Sequence, residues 1–391
     1  MSFFTAAMRF EFSTATRILY GRDRLKEVPA IARTFGARAL LVTGGNGQRA
    51  LAFQQSLTAE GIICDPFSVV GEPTIADAER GANLTHAERV DLIISIGGGS
   101  AIDCGKAIAA LATNDGSALD YLEVIGRGLP LKNLPLPFIA IPTTAGTGAE
   151  VTRNAVLASP DHRVKASLRH PLMLPRLAVV DPTLTLGLPP ALTASTGMDA
   201  LTQLIEPFLS CRANAMTDAL CREALPKAAR SILRAFAQPD DLAAREEMSL
   251  AALFSGLALA NAGLGAVHGF AAPIGGMFDA PHGAVCAALL PAVLEINLRA
   301  LRQRHPPSAV LHRFGELARL LTGLPGATAD DAIVWTHGLR AELQIPPLRA
   351  YGLTLADVPV LCEKAAASSS MKGNPIALET SDLWDILERS L

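Results

Sequence analysis

The amino-acid sequence predicts an N-terminal α/β domain built on a parallel sheet, residues 1–188, followed by an all-α domain, residues 189–391. Short apolar runs alternate with helical patterns in the first part, whereas long Ala- and Leu-rich helical patterns, without a convincing strand, fill the second. Composition is a further observation: 50% of the residues are hydrophobic and the mean hydropathy is +0.30. These values favour a large core and a buried interface between subunits.

Four apolar segments of the first part are predicted strands, each ending in Gly, Pro or Thr: residues 38–45, 91–99, 137–144 and 177–182. Continuous apolar runs indicate strands buried on both faces, which is typical of parallel sheets. Amphipathic helices are predicted at 48–62 and 100–113, and the alternation of strand and helix predicts a doubly wound sheet. The texture changes at Pro189–Pro190, where we place the domain boundary.

Charge and composition argue against several classes of partner. The net charge is −3, and the 34 basic and 37 acidic residues are mixed without a basic stripe, so no nucleic acid partner is expected. The N-terminus lacks a signal-peptide pattern, and no uniformly apolar run reaches the length of about 18 residues that indicates a membrane span. Six scattered cysteines without a C-x-x-C pair predict reduced thiols in a cytoplasmic protein.

A glycine-rich turn in DLIISIGGGSAIDCGKAIA joins a predicted strand to a helix. Gly97, Gly98, Gly99 and Ser100 form a candidate pyrophosphate cradle, because glycines let backbone N–H groups and the helix N-terminus approach an anion. Ser100 is the predicted N-cap, with Asp103 completing a capping box. The spacing matches neither G-x-G-x-x-G nor a P-loop, so a plain tight turn is the alternative.

A second loop, IPTTAGTGAEVT, leaves the predicted sheet with Thr143, Thr144 and Thr147. Two such loops at one edge of a sheet suit a ligand at the carboxyl ends of the strands. The alternative is a Ser/Thr-rich turn that satisfies its own backbone.

The loop after the first predicted strand contains Gly44, Gly45 and Asn46, with Arg49 nearby. A carboxylate at such a strand end accepts the ribose 2′-hydroxyl of NAD and repels a 2′-phosphate. No carboxylate is present in this loop, which favours NADP over NAD. A loop that accepts either cofactor is the alternative.

Four residues of the helical part could be metal ligands: Asp199, Gln203, His268 and His282. Asp199 and Gln203 are four residues apart in a predicted helix and share one face. His268 and His282 lie in apolar segments interrupted by Gly and Pro. Taken singly, each has an ordinary alternative: a buried polar pair for the first two, and core histidines for the others.

Four motifs, in order over nearly the whole chain, resemble the iron-containing (group III) alcohol dehydrogenases: GGGSAIDCGKAIA, PTTAGTGAEVT, GMDALTQLIE, and GLGAVHGFAAPIGG followed by APHG. The resemblance implies the dehydroquinate synthase-like fold of that family. It implies an N-terminal dinucleotide-binding domain, a helical domain, and a metal and substrate between them. It also implies NAD or NADP as cofactor, and a homodimer or higher homo-oligomer.

The resemblance implies that Asp199, His268 and His282 are metal ligands and catalytic residues. The family's usual set is one Asp and three His, and the position of the remaining His is Gln203. We expect Gln203 to assist in holding Fe²⁺ or Zn²⁺. The family often has a further His, linked to proton transfer, at the position of Ala272. The proton is then expected to leave through the ribose hydroxyl or water.

By the same resemblance, Lys165 and Leu184 flank the cofactor. From their proximity to His268, Asn261 and Phe270 are expected to line the substrate pocket. The expected protein is a cytoplasmic, NAD(P)-dependent, metal-assisted alcohol dehydrogenase or aldehyde reductase acting on a small molecule. The alternatives are a keto-acid reductase of the maleylacetate type, a synthase of the dehydroquinate type, and a non-catalytic cofactor-binding relic. The C-terminal motifs contain no cluster of Lys and Arg that could hold a phosphate and a carboxylate, which argues against the synthase.

Overall fold

The structure is a computed structural model that describes residues 9–45, 48–305 and 308–391. Its centre is a six-stranded, all-parallel sheet with the strand order β1-β8-β5-β4-β2-β3. The strands are β1 (Ile18–Tyr20), β2 (Arg38–Gly44), β3 (Ile63–Val69), β4 (Leu92–Gly97), β5 (Phe138–Pro142) and β8 (Leu177–Val180). A separate antiparallel hairpin is formed by β6 (Asn154–Ser159) and β7 (Val164–Arg169).

Helices accompany the sheet: α1 (Val28–Arg33), α2 (Gln48–Ala59), α3 (Ile75–Ala87), α4 (Gly99–Leu111) and α5 (Ala118–Tyr121). Apolar residues of β2, β4 and β5 are buried on both faces of the sheet, where they belong to two separate clusters. The four predicted strands and both predicted helices are therefore present, with ends that differ by a few residues.

Four strands escaped sequence analysis. β3 has the sequence ICDPFSV and lies at the edge of the sheet, where Pro and charged residues are tolerated because one side of the strand is unpaired. β1 is only three residues long. The hairpin strands β6 and β7 alternate buried and less buried residues, because only one of their faces is covered.

Within the described part of 189–391, the regular elements are helices. They are α6 (Pro190–Leu209), α7 (Ala215–Ala237), α8 (Leu242–Ala262), α9 (Ala266–Met277), α10 (His282–Arg304), α11 (Ala309–Thr322), α12 (Ala329–Glu342), α13 (Val358–Ala367) and α14 (Thr380–Ser390). They surround one large apolar core. The predicted parallel α/β part and helical part are thus confirmed, and the exact domain boundary stays a prediction.

Among the described residues, α10 is long and apolar enough to cross a membrane, and α8 with α9 would pass the same criterion as one span bent by 100°. The apolar stretch of α10 is 89% buried inside the protein. Its hydropathy is therefore that of a central core helix.

The loop after β5 contacts the helical part directly. Gly148 has φ +61°, and a Cβ added there would lie 2.4 Å from the Cα of Gly256 on α8. Only glycines allow two backbones to approach so closely. This contact positions the loop against α8, which packs against α6.

Candidate metal and nucleotide site

Three helices bring Asp199, His268 and His282 together. Asp199 lies in α6, His268 in α9, and His282 is the first residue of α10. One carboxylate oxygen, Asp199 Oδ1, lies 3.3 Å from His268 Nε2 and 3.7 Å from His282 Nε2. The three residues predicted to carry the chemistry therefore converge on one point, although 69 residues separate the first two along the chain.

A carboxylate that sequence analysis missed holds His268. Glu206 Oε2 lies 2.6 Å from His268 Nδ1, and Glu206 Oε1 accepts a 2.7 Å hydrogen bond from the Val267 N–H. Metal-binding histidines are typically oriented by such a partner on the other ring nitrogen. Glu206 follows Asp199 by seven residues, hence on the same helix face, and this spacing was the available signal.

Gln203 lies beside the carboxylate, as its spacing predicts. Its Nε2 donates to Asp199 Oδ2 at 3.3 Å, and its Oε1 accepts a 3.0 Å hydrogen bond from Ser255 Oγ. Ser255, in α8, was also missed. The amide thus orients Asp199, and the expectation that Gln203 binds the metal stays a prediction.

Cys286 is the unexpected member of the cluster. Its Sγ lies 3.8 Å from His268 Nε2 and 3.7 Å from His282 Nε2. The donor atoms of Asp199, His268, His282 and Cys286 all lie within 4.8 Å of one another. All six cysteines are free thiols, as predicted, and of the six it is Cys286 that lies in this group of potential metal ligands.

The cluster members stabilise opposite charges on one another. Burial alone would raise the pKa of Asp199, but the His282 and His268 imidazoles bring it below its usual range. Burial likewise opposes ionisation of Cys286, yet the two imidazoles lower the pKa of its thiol. Desolvation disfavours the charged imidazoles, but Cys286 and the carboxylates raise the pKa of both.

This donor set fits a divalent transition metal. Carboxylate oxygen, imidazole nitrogen and thiolate sulfur are the donors found at zinc and iron sites. A cation bound here would displace the protons from the imidazoles, because only the neutral ring is a ligand. The side chains of Asp199 and His268 are 2% and 6% exposed, whereas His282 is 33% exposed. The cluster therefore opens towards solvent on the His282 side.

The glycine-rich turn lies between β4 and α4, but its capping differs from the prediction. The N-cap is Gly98, without a side-chain cap, so the predicted Ser100–Asp103 capping box is wrong. The N-cap lies two residues earlier than predicted, at the extended Gly98, and Ser100 belongs to the first turn of the helix. The first N–H groups of α4 consequently have no side-chain cap, which suits an anion.

The two predicted loops pack against each other. A Cβ on Gly99 would lie 2.8 Å from Thr147 Cγ2, and one on Gly98 would lie 3.6 Å from the Thr144 side chain. The Thr143 N–H donates to the Gly97 carbonyl at 2.9 Å. Gly97 through Ser100 and the three threonines therefore form one surface at the carboxyl ends of β4 and β5, where the cofactor was expected.

Gly44 ends the neighbouring strand β2 and Gly45 follows it, and a Cβ on Gly97 would lie 3.2 Å from the Gly44 nitrogen. The predicted contact of Asn46 lies outside the described residues. Leu184 lies in the 3₁₀ turn Pro182–Thr185 that follows β8. These positions share the sheet edge with the two loops.

Asp103 and Lys165 have protein partners. The Asp103 carboxylate accepts a 3.1 Å hydrogen bond from the Val156 N–H and lies 3.8 Å from Lys106 Nζ. Lys165 pairs with Glu72 at 2.9 Å. Asp103 therefore fixes the β6–β7 hairpin to α4, and the expected cofactor contacts of both residues stay predictions.

Of the two expectations about the substrate pocket, the one for Phe270 is wrong and the one for Asn261 stays a prediction. Phe270 has no exposed surface and belongs to the core of the helical part. The Asn261 amide is engaged with the N-terminal segment, where it accepts from the Ser13 N–H at 2.6 Å and donates to the Ser13 carbonyl at 3.0 Å. Nearness in sequence to His268 misled here, because α9 presents Phe270 to the core.

A doubly wound sheet that meets a helical cluster of metal-ligand side chains is the architecture of a metal-dependent dehydrogenase. The profile of iron-containing alcohol dehydrogenases matches residues 15–182, and that of the C-terminal part of the Fe-containing alcohol dehydrogenase family matches residues 193–391. The chain belongs to the iron-containing alcohol dehydrogenase family. It is an alcohol or aldehyde oxidoreductase acting on CH–OH, and the predicted family and activity are confirmed.

Relatives agree with this assignment. The chain is 37% identical over 356 residues to 1,3-propanediol dehydrogenase of Klebsiella pneumoniae, an alignment that covers 87% of this chain and 88% of the relative. A crystal structure of 1,3-propanediol oxidoreductase superposes with a TM-score of 0.90 at 33% identity, covering 98% of this chain and 100% of that one.

A third similar protein is sulfoacetaldehyde reductase from Bifidobacterium kashiwanohense, whose structure was solved in complex with NAD⁺. It has a TM-score of 0.86 at 28% identity, covering 98% of this chain and 99% of that one. The family thus supports a nicotinamide cofactor and iron.

Proposed function

We propose that the protein interconverts small alcohols and aldehydes with NADP(H) in preference to NAD(H), assisted by a divalent metal held by Asp199, His268 and His282. The observation that carries the proposal is the convergence of these three donors, with one Asp199 oxygen 3.3 Å and 3.7 Å from the two imidazoles. The loop after β5, which carries the threonines of the candidate cofactor surface, packs against α6, where a Cβ on Gly146 would lie 2.8 Å from Thr196 Cβ.

The residues divide the work between binding and orientation. When bound, the metal supplies positive charge for the alkoxide that develops as hydride moves between the alcohol carbon and nicotinamide C4. Glu206 fixes the ring of His268, and Gln203 fixes Asp199. The deep burial of these groups excludes water from one side, whereas the exposed fraction of His282 marks the side from which substrate enters.

The central test is His268→Ala, with the exposed His312→Ala as the matched control. We expect His268→Ala to lose bound metal, measured by elemental analysis, together with nearly all NAD(P)H oxidation by aldehydes. His312→Ala should keep both. Full turnover by a metal-free His268→Ala protein would refute the metal-assisted function.

The cofactor preference rests on the absence of an acidic residue in the GGNGQR sequence after β2. We expect a higher kcat/KM with NADPH than with NADH. Arg49→Ala should lower kcat/KM for NADPH more than for NADH. Equal losses for both cofactors would contradict a role for this residue in recognising a 2′-phosphate.

The substrate class is tested by a panel of small aldehydes and keto acids with both reduced cofactors. Oxidation of the cofactor by aldehydes and not by keto acids supports the proposal. The opposite result would favour the keto-acid reductase alternative.

Homo-oligomerisation and a cytoplasmic location are also proposals. The first predicts a mass of at least twice the 41.0 kDa chain in light scattering. The second predicts recovery in the soluble cytoplasmic fraction of the cells that produce the protein. A monomeric mass, or recovery with another fraction, would contradict them.

A further inference from the structure

Cys286 is placed to be a metal ligand. It follows His282 by four residues on α10, one helical turn, so both side chains share a face. The thiol is completely buried, and it lies in the group of four donors with Asp199, His268 and His282. The other five cysteines, at positions 64, 104, 211, 221 and 362, do not belong to this donor group.

The distances match those that a shared cation requires. In a tetrahedral zinc site, bonds of about 2.3 Å to sulfur and about 2.0–2.1 Å to nitrogen place the two donor atoms about 3.6 Å apart. Cys286 Sγ lies 3.7 Å from His282 Nε2 and 3.8 Å from His268 Nε2. Movements of a few tenths of an ångström would let Cys286 Sγ and both imidazole nitrogens bind the same cation.

Gln203, in contrast, is committed to protein partners. Its oxygen accepts from Ser255 Oγ, so its NH₂ group faces Asp199. An NH₂ group is a donor of hydrogen bonds and has no lone pair for a metal. For Gln203 to bind through its oxygen, the amide would have to turn over and lose this arrangement.

We propose that Cys286, and not Gln203, is the fourth protein ligand of the metal, and that its thiolate gives the site a preference for Zn²⁺ over Fe²⁺. The proposal rests on the proposed metal-assisted function of this cluster. Thiolate is a soft donor that selects zinc more strongly than a third imidazole does.

A thiolate in place of a third imidazole also changes the net charge of the metal centre. One carboxylate, one thiolate and two neutral imidazoles around a divalent cation sum to zero, whereas one carboxylate and three imidazoles leave +1. Gln203 then acts as a positioning residue through Asp199. The absence of the third histidine is offset from the other side of the cluster, by a residue 83 positions later in the chain.

The direct test is a spectrum of the protein reloaded with Co²⁺ alone after removal of its metal by a chelator. A cysteine ligand gives an intense near-ultraviolet thiolate-to-cobalt charge-transfer band. We expect the band in the wild type, in Gln203→Ala and in the control Cys221→Ala, which removes another fully buried thiol. It should be absent from Cys286→Ser and Cys286→Ala.

Affinity provides a second readout. Removal of Cys286 should weaken Zn²⁺ binding by at least the roughly 10–100-fold that follows loss of a supporting partner, whereas Gln203→Ala should change it less. In competition between Zn²⁺ and Fe²⁺, the double variant Gln203→His/Cys286→Ala should retain metal and shift its content towards iron. A wild-type cobalt spectrum without the band, or an unchanged spectrum and affinity in Cys286→Ala, would overturn the proposal.

The metal-assisted function and the thiolate ligand are refuted by different results. If His268→Ala loses metal and activity while Cys286→Ala keeps the metal and the cobalt spectrum, the proposed function stands and the thiolate ligand is refuted. If the wild type binds no Co²⁺, Zn²⁺ or Fe²⁺, both are refuted.

Discussion

Glu206 Oε2 lies 2.6 Å from His268 Nδ1, with both side chains buried in the helical part. The bond makes Nδ1 the hydrogen-bonded nitrogen and directs Nε2 towards Asp199, 3.3 Å away. Because the second Glu206 oxygen accepts the Val267 N–H, the start of α9 is fixed by the same carboxylate. One side chain of α6 therefore sets both the orientation of the imidazole and the position of the helix that carries it.

Replacing this carboxylate is the first test. Glu206→Gln keeps the size of the side chain but removes the charge that supports His268. We expect metal affinity to fall roughly 10–100-fold, as for other partners of metal-bound histidines. The measurement is titration with Zn²⁺ against a competing chelator. Glu363→Gln, at an exposed position of α13, should bind metal like the wild type, and equal affinities of all three proteins would contradict the role of Glu206.

The contact between Gly148 and Gly256 predicts a second outcome. In Gly256→Ala the added methyl would lie 2.4 Å from the Gly148 carbonyl oxygen and 2.8 Å from Val151 Cγ2. We expect destabilisation of roughly 1–3 kcal/mol, from overpacking, and a raised KM for the nucleotide, because the displaced loop carries Thr143 and Thr144.

The matched control is Gly338→Ala, in the exposed part of α12. An added Cβ there has no neighbour within 4 Å. It should raise stability by roughly 0.5–1 kcal/mol, because alanine has the higher helix propensity. The measurements are chemical denaturation and steady-state kinetics. A Gly256→Ala enzyme with wild-type stability and wild-type KM would show that the loop can move without consequence.

Glu150, in the loop after β5, predicts a pH dependence of stability. Burial raises the pKa of its carboxyl from 4.5 to about 7, although Lys106 opposes the shift. Between those two values the native state holds a proton that the unfolded chain releases. The contribution of Glu150 to the free energy of unfolding therefore falls as the pH rises from about 4.5 to about 7, and is constant above that.

Glu150→Gln should remove this decrease in the free energy of unfolding. The variant should match the wild type near pH 4 and exceed it increasingly up to about pH 7, by at most roughly 3 kcal/mol. The exposed Glu60→Gln is the control and should follow the wild type throughout. Denaturant midpoints measured across this range are the readout, and a stability difference that stays constant with pH would contradict the buried, protonated carboxyl.

The sequence predicted the parts of the fold in which burial dictates the pattern. β2, β4 and β5 are continuous apolar runs because helices or loops cover both faces, and their glycine- and threonine-rich ends locate the edge where ligands bind. β3 could not be recognised in the same way, since Pro66 and Asp65 are tolerated only because the strand is at the edge. Whether a strand lies at the edge of a sheet depends on the tertiary structure, and the local sequence does not show it.

The residues of the site also fall into those that the sequence pattern indicates and those that it does not. Asp199, His268 and His282 could be named because their residue types are uncommon in apolar helices and their motifs resemble a known family. Cys286 could not be singled out, since a cysteine in the apolar run AVCAALLP is indistinguishable from a core residue until α10 is placed beside α9. Its spacing from His282 was visible in the sequence, but its distance from His268 was not.

The near-touching backbones of Gly148 and Gly256 have a mechanical consequence. Because neither glycine leaves room for a side chain, a movement of the loop after β5 away from α8 would have to break this backbone contact. Ser255, the neighbour of Gly256, holds the amide that steadies Asp199. The contact is therefore linked to Asp199 through two hydrogen bonds, and a displacement of α8 at Gly256 would be transmitted to the carboxylate through Gln203.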